Sequence, residues 1–458
     1  MTQEKKKLSL FNIYSLGVGG AIGSGIFVLM GSGIAATGHS IFLAVAIGCI
    51  YMLIANLFQP VMASMFILPG GDYDMKLMLF NPMLTGISAL FTYLLGFGIS
   101  VYAIAMVDYA SMVFPGIIPY AKPIEILLVV LFFAATIKGS KFVATLTSIM
   151  TVILLVSIVL FVAFGLPQIK PGYFDGETFF LGGPSGFLLG IAVMSFACSG
   201  TTLVPVSFME VTKDAKRTIP VGIILVSITV GLVYGLMGAV ASGVLPVDQV
   251  ADQNLSIVAK EIFPDWLWVI FILGGAVCAI ATSMSSGIAM LRYPTYRVAE
   301  DGWLPAFFKK TTKSGYPWAI QLLFFVVAIL PILLGFSIEA IVTMLMLPTM
   351  LMNMYLNLAL IKLVKQYPER WQSSVLHMPM GFFTALCVLA ALFAFLVGAS
   401  LLTTLATSEM IICALLVVAC VVISGIRLKT GAVRKEDLLA TREAIIHRAI
   451  ESEQNAEG

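Results

Sequence analysis

Two apolar stretches of the chain carry residues that fit poorly in a plain lipid-facing helix, and the chemistry they offer is that of bare main chain. The first holds Gly17, Gly19, Gly20, Gly23, Ser24 and Gly25, followed by Gly31 and Gly33. The second holds Ser195, Cys198, Ser199, Gly200, Thr201 and Thr202, with Pro205 just beyond. In hydrocarbon a freed backbone N–H or C=O is costly, so unwound backbone survives only where protein, water or a ligand satisfies it. Glycine lets the chain open and lets a ligand touch the main chain. A helix interrupted at Gly23-Ser24-Gly25 offers the N–H groups and positive dipole end of its second half to an anion. Carbonyls freed on the other side accept from a cation, and a zwitterion presents one group of each kind. Taken singly, each cluster also fits close helix packing, for which Gly19/Gly23 and Gly31/Ala35 have the right spacing. Paired interruptions at corresponding points of two halves point instead to a transport site.

The elements that must position these residues are membrane helices. Hydrophobic residues make up 60% of the 458 and charged ones 11%, against about 45–50% and about 25% in soluble domains. Mean hydropathy is +1.02. Such a chain cannot cover itself with polar groups, so its solvent is the lipid bilayer. At about 20 apolar residues per crossing, the sequence predicts spans near 11–36, 41–68, 83–113, 124–138, 142–166, 186–210, 219–244, 266–292, 318–335, 339–361, 379–402 and 408–426. The fold expected is all-α, a polytopic membrane protein of twelve helices whose first and sixth are interrupted. The organisation expected is an N-terminus over 1–10, a first five-helix half over 11–166 and a loop over 167–185 rich in Pro and Gly. A second half follows over 186–362, then peripheral helices over 363–427 and a tail over 428–458. Lys5-Lys6-Lys7 before an apolar run imitates a signal peptide, but 11–36 is too long for its apolar core. Alternating the spans from a cytoplasmic N-terminus places 23 of the 26 Lys and Arg inside, with Lys122, Lys170 and Lys260 outside. That asymmetry predicts both termini in the cytoplasm and a plasma-membrane location.

Several classes are disfavoured by what is missing. Cys49, Cys198, Cys278, Cys387, Cys413 and Cys420 all lie inside apolar runs, with neither metal spacing nor a disulfide framework. His39, His377 and His447 are scattered, and no nucleophile–base pair stands out, so an enzyme is not expected. Asp108 and Glu210 are placed near span ends, and no acid lies at mid-depth, which favours a neutral substrate over a polyamine. The five Trp, at 266, 268, 303, 318 and 371, are expected in an aromatic belt. A piece with Leu255, Ile257, Val258 and Ile262 is expected at the interface. The tail, with Leu438, Leu439, Ile445, Ile446 and Ile450 on one amphipathic helix, is expected in solvent. Nothing calls for a nucleic-acid partner, a resident metal or a cofactor, and the oligomeric state is left open.

The residues resemble a family. Gly-Ala-Ile-Gly-Ser-Gly-Ile-Phe over 20–27 is similar to the first-helix signature of the amino acid–polyamine–organocation (APC) permeases. Pro69-Gly70-Gly71-Asp72-Tyr73 resembles their loop after helix two, and Phe196-Ala197-Cys198-Ser199-Gly200 their sixth-helix motif. Residues 210–220, and Tyr296, Ala299, Asp301-Gly302 and Leu304-Pro305 after helix eight, resemble two further loop patterns. Any one is weak; five in order are specific. The resemblance implies a leucine-transporter-like fold, a five-plus-five inverted repeat with an amino acid held between helices one and six. Carried over by position, Ser24, Gly25 and Ile26 would offer backbone N–H groups, with the Ser24 hydroxyl, to the carboxylate, and Gly23 would stand beside them in the site. Ala21, Phe196, Ala197, Cys198, Ser199 and Gly200 would line the site, the carbonyls of Ala21, Phe196, Ala197 and Ser199 taking the ammonium.

The departures carry information too. Cys198 and Thr201 are small where many relatives are aromatic, so the gate above the site is expected to be built differently. Thr202 stands where an acid is common, and Asp214-Ala215 replaces Asn-Pro. A lysine deep in helix five of some proton-linked or exchanging relatives corresponds here to Leu154. Sodium wants oxygen ligands, and Thr282, Ser283, Ser285 and Ser286 lie near the level where sodium-coupled transporters of this fold place hydroxyls; Thr282, Ser285 and Ser286 are the ion candidates, with Na+ or H+ as the coupling ion. The expectation is a secondary transporter of a small neutral L-amino acid working by alternating access, with a polyamine or organic-cation carrier of the same superfamily, or an ion channel, as the alternatives.

Overall fold

The computed structural model describes residues 8–68, 70–137, 140–174, 176, 178–209, 212–312, 316–403 and 405–457. Within these, the side chains of residues 24, 137–148, 289, 293 and 448–457 are excepted. Pro69 and Glu210, which the sequence singles out, lie outside the described residues. Apart from one isolated bridge between Leu8 and Thr212, the described residues fold as helices and connections. Ten helical runs are long and apolar enough to cross a membrane, and Trp318–Leu334 is a shorter apolar helix. One of the ten, Gly25–Ala55, joins the second part of the first expected span to the next span. The set is compatible with the twelve passages expected.

The first span is α1 (Leu10–Ala21) and α2 (Ser24–Thr37), and the second is α3 (Ile41–Ala55) and α4 (Phe58–Met65). A short amphipathic helix, α5 (Asp72–Leu79), then leads to α6 (Pro82–Leu94) and α7 (Phe97–Val113), which together make the third span. α8 (Ala121–Ile137) and α9 (Ser140–Gly165) complete the first half. The sixth span is α10 (Gly183–Ala197) plus α11 (Gly200–Val206), and the seventh is α12 (Ala215–Gly243). Short helices α13 (Val247–Val250) and α14 (Ser256–Ile262) precede the eighth span, in which α15 (Asp265–Ile270) runs through a wider π-type stretch, Phe271–Val277, into α16 (Cys278–Glu300). α17 (Trp318–Leu334), α18 (Ile338–Gln366), the short α19 (Pro368–Gln372), α20 (Met380–Leu402), α21 (Thr407–Lys429) and α22 (Lys435–Glu457) follow.

Local chemistry explains the ends that matter for the site. Gly71 takes φ 57°, a left-handed value that favours glycine, immediately before α5. Asn81 caps α6, its side chain accepting from the Leu84 N–H at 2.9 Å, with Pro82 at the first helical position. Asp214, which replaces the Asn of the resemblance, starts α12 at φ 46°, a conformation a short polar side chain tolerates.

α5 lies on the side of the molecule where α1 begins; α22 packs against it, and this side is called the terminal face below. The structure corrects four expectations here. The tail is a docked helix rather than a solvated one: Leu438 and Ile445 are buried, and Arg442 donates from Nε to the Leu77 carbonyl at 2.6 Å and from Nη2 to the Phe80 carbonyl. These are carbonyls that the end of α5 leaves unpaired. Trp303 and Trp371 are buried rather than set in a belt; Trp303 Nε1 donates to the Tyr73 hydroxyl at 3.0 Å, which donates to Asp301 at 2.6 Å. Burial holds the Asp301 carboxyl above the ordinary range of an aspartate. Leu255, Val258 and Ile262 face the protein core rather than the lipid interface. Finally, Cys49 on α3 and Cys198 at the sixth-span interruption form a disulfide, with Cα atoms 5.3 Å apart. Spacing along the chain hides that pair, because 149 residues separate its members.

Candidate substrate site

Both interruptions are present, and they touch. In the first, Ile22 (φ −79°, ψ 100°) is extended, Gly23 (φ −167°, ψ −120°) is neither helical nor extended, and α2 begins with no side chain capping it. In the second, Cys198 and Ser199 keep right-handed backbone angles between α10 and α11. A Cβ at Gly25, at the start of α2, would overlap Ala197 at the end of α10. Reciprocally, a Cβ at Gly200, the start of α11, would sit 2.9 Å from the Ala21 Cα at the end of α1. Glycine at these two places is what lets the halves of the two spans close on each other. The Tyr234 hydroxyl of α12 donates to the Ala21 carbonyl at 2.7 Å and holds the broken end of α1.

A cavity of about 160 Å³ extends from this junction toward the terminal face. Gly20, Ala21, Gly25, Phe196, Ala197, Ser199 and Gly200 line it from the interruptions. Its middle is mostly apolar: Phe91 from α6, Leu95, then Ile99 and Tyr102 from α7, Met290 from α16, and Leu345 and Met346 from α18. Its end toward the terminal face is polar, with Asn56, Gln59, Asp72, Lys76 and Asn353. Asp72 Oδ2 and Lys76 Nζ form an ion pair at 2.6 Å, and Gln59 Nε2 donates to Asp72 Oδ1 at 3.2 Å. Asn353 Nδ2 donates to Asn56 Oδ1 at 2.7 Å.

Beyond the interruptions, on the side away from the terminal face, the core holds a cluster of packed rings. Phe27 of α2 packs edge-on against Tyr109 of α7 and against Phe271 of the eighth span, which stacks on Phe161 of α9. The Tyr109 hydroxyl donates to the Phe27 carbonyl at 2.6 Å and accepts from the Leu255 N–H at 3.1 Å. These rings come from spans other than the sixth, whose Cys198 and Thr201 are small.

Of the residues named from sequence, Ala21, Gly25, Phe196, Ala197, Ser199 and Gly200 border the cavity. Ile26 is fully buried and Gly23 faces Ser283; neither borders it. Cys198 is turned away, bonded to Cys49. The Ser24 side chain lies outside the described residues. Among the ion candidates Ser286 borders the cavity, as does the neighbouring Ser283, while Thr282 donates to its own helix at Ala279 and Ser285 is buried elsewhere. Among the described residues, no cluster of His, Cys, Asp or Glu could hold a metal ion. Sequence reasoning missed the polar end of the cavity and the residues of α7, α16 and α18. The opposite charges at i and i+4 in Asp72 and Lys76, beside a Gly-Gly turn, were the available signal for the former.

The family model described as amino acid permease matches residues 8–423. The chain belongs to the amino acid permease family. The permease is similar to the branched-chain amino acid permease BcaP of Bacillus subtilis, 26% identical over 67% of this chain and 70% of the relative. It is also similar to a methylthioribose transporter of Bacillus subtilis, 26% identical over 68% and 70%. A D-serine/D-alanine/glycine transporter of Escherichia coli is 25% identical over 68% and 69%. Family and helices together make it a multi-pass integral membrane transporter of the APC superfamily rather than an enzyme, and its cargo class is amino acids.

Proposed function

We propose that the permease carries a neutral L-amino acid with an apolar side chain by alternating access, and that the form described here opens toward the cytoplasm. The observation that carries this reading is the uncapped start of α2 at the edge of the cavity, beside carbonyls at the ends of α1 and α10. The N–H groups of the first turn of α2 take the carboxylate and the carbonyls take the ammonium. Phe91, Ile99, Tyr102, Met290 and Leu345 then receive the side chain. Among the described residues the cavity wall carries one carboxylate, Asp72, already paired with a lysine, so a polyamine would meet no uncompensated acid there. The branched-chain specificity in the name of one relative points the same way.

The terminal face is cytoplasmic by the distribution of Lys and Arg. The cavity reaching that face, with aromatic rings packed on the other side, corresponds to an inward-facing state. Two five-helix halves whose interruptions meet through reciprocal glycines support the inverted repeat and a rocking motion about that junction. Ser283 and Ser286 are the hydroxyls positioned for a coupling sodium ion, and a proton is the other coupling ion considered.

The test is uptake of labelled L-leucine, L-valine, L-alanine and putrescine by the purified permease in liposomes, with sodium gradients, proton gradients and neither. Saturable uptake of L-leucine, inhibited by L-valine and not by putrescine, is expected. Uptake of putrescine alone would overturn the neutral-substrate reading. Non-saturating flux at the rates of a channel would overturn alternating access.

A further inference from the structure

We propose that Lys76, Asp72 and Gln59 form a second recognition station for the amino-acid head group, at the terminal mouth of the cavity. This rests on the amino-acid cargo argued above, and adds to it a site on α5 and α4 rather than on the interrupted spans.

The ion pair is more buried than an anchor for a loop helix requires. The side chains of Lys76 and Asp72 are only 7% and 12% exposed, yet both stand on the cavity wall. Removing two charges from water costs about as much as their attraction returns, so such a pair contributes little to stability by itself. α5 is also fixed by other means, since Arg442 holds the carbonyls at its end and Tyr73 joins Trp303 and Asp301. What the pair does supply is a dipole of whole charges facing the transport route.

Hydrogen-bond capacity is left over at the same place. Gln59 is 4% exposed and spends its Nε2 on Asp72, while its buried Oε1 has no partner among the described residues. A lysine ammonium has three donors, of which the contact with Asp72 uses one. A zwitterion therefore finds acceptors for its ammonium in Gln59 Oε1 and Asp72, and donors for its carboxylate in Lys76. An amine without a carboxylate is repelled by Lys76, and an acid without an amine by Asp72. The station filters for molecules carrying both charges, and acts on substrate entering or leaving through the terminal face.

The test compares right-side-out and inside-out membrane vesicles, with labelled L-leucine as the probe and isopentylamine, its decarboxylated analogue, as competitor. In Lys76→Gln the half-saturation on the terminal side is expected to rise about tenfold, the size of one charge-assisted hydrogen bond, while that on the other side moves less than about twofold. Isopentylamine, now facing an unpaired Asp72, should become a terminal-side competitor. Asp72→Asn/Lys76→Gln leaves no unpaired buried charge and carries the test if the single variant does not fold. It should lose terminal-side affinity without gaining the amine. An equal shift on both sides, or no shift, overturns the station; wild-type vesicles that take up no amino acid overturn the cargo assignment instead.

Discussion

The two interrupted spans look alike in composition but differ in what their backbone does. In the first, Ile22 and Gly23 leave helical angles altogether, and the second half restarts with an uncapped turn. In the second, the backbone stays right-handed, and tight bonds from Cys198 to Ser195, Ser199 to Phe196 and Thr201 to Cys198 consume most of the N–H groups. An anion is thus offered donors by the first interruption, while the second offers mainly carbonyls and a close-fitting surface. Breaking a helix and freeing its donors are separate events, and small polar residues accomplish only the former.

Substitutions can break or sharpen that contrast. The largest effect is expected for Gly25→Val, whose branched side chain would collide with Ala197 and cover the donors of α2; uptake by reconstituted protein should vanish, with folding checked by a monodisperse elution profile. Gly23→Ala forces a methyl into Ser283 and against the Ala279 carbonyl. Overpacking costs about 1–3 kcal/mol, so its half-saturation for L-leucine should rise about five- to a hundredfold. Gly200→Ala, with 2.9 Å to the Ala21 Cα and 3.2 Å to the Gly20 carbonyl, needs a smaller shift and should raise it about threefold. If Gly200→Ala were as damaging as Gly23→Ala, the two interruptions would be equivalent and the contrast would fail. The smallest effect on binding is expected for Cys198→Ala, because that side chain does not border the cavity. Half-saturation should stay within about twofold, while the temperature of half-unfolding falls with the cross-link to Cys49 gone.

How much of this was legible in the sequence follows from the range of the contacts. The interruption at Gly23 was readable because a local run of glycines breaks a helix wherever it stands. The helix ends fell within a few residues of expectation except in the eighth span, where the helix continues to Glu300 through polar residues that hydropathy discounts. The touch between Gly25 and Ala197 was implied by the resemblance alone, since nothing in either stretch names its partner. The disulfide, the docking of Leu438 and Ile445 and the burial of Trp303 all join segments far apart in the chain. An amphipathic helix or a tryptophan near a span end reads the same whether protein or lipid covers its apolar face. Asp72 and Lys76 were visible as charges, but not as charges turned into a cavity.

The clasp between Arg442 and the end of α5 has a mechanical consequence. α22 runs from Lys435 to Glu457, and its part beyond Arg442 is a rod about 22 Å long at 1.5 Å per residue, gripped at its base by the helix that walls the mouth. A tilt of α5 by about 10° would swing the far end of such a rod through about 4 Å. Small tilts at the mouth would thereby be enlarged at the far end of α22, as a pointer magnifies the turning of its spindle.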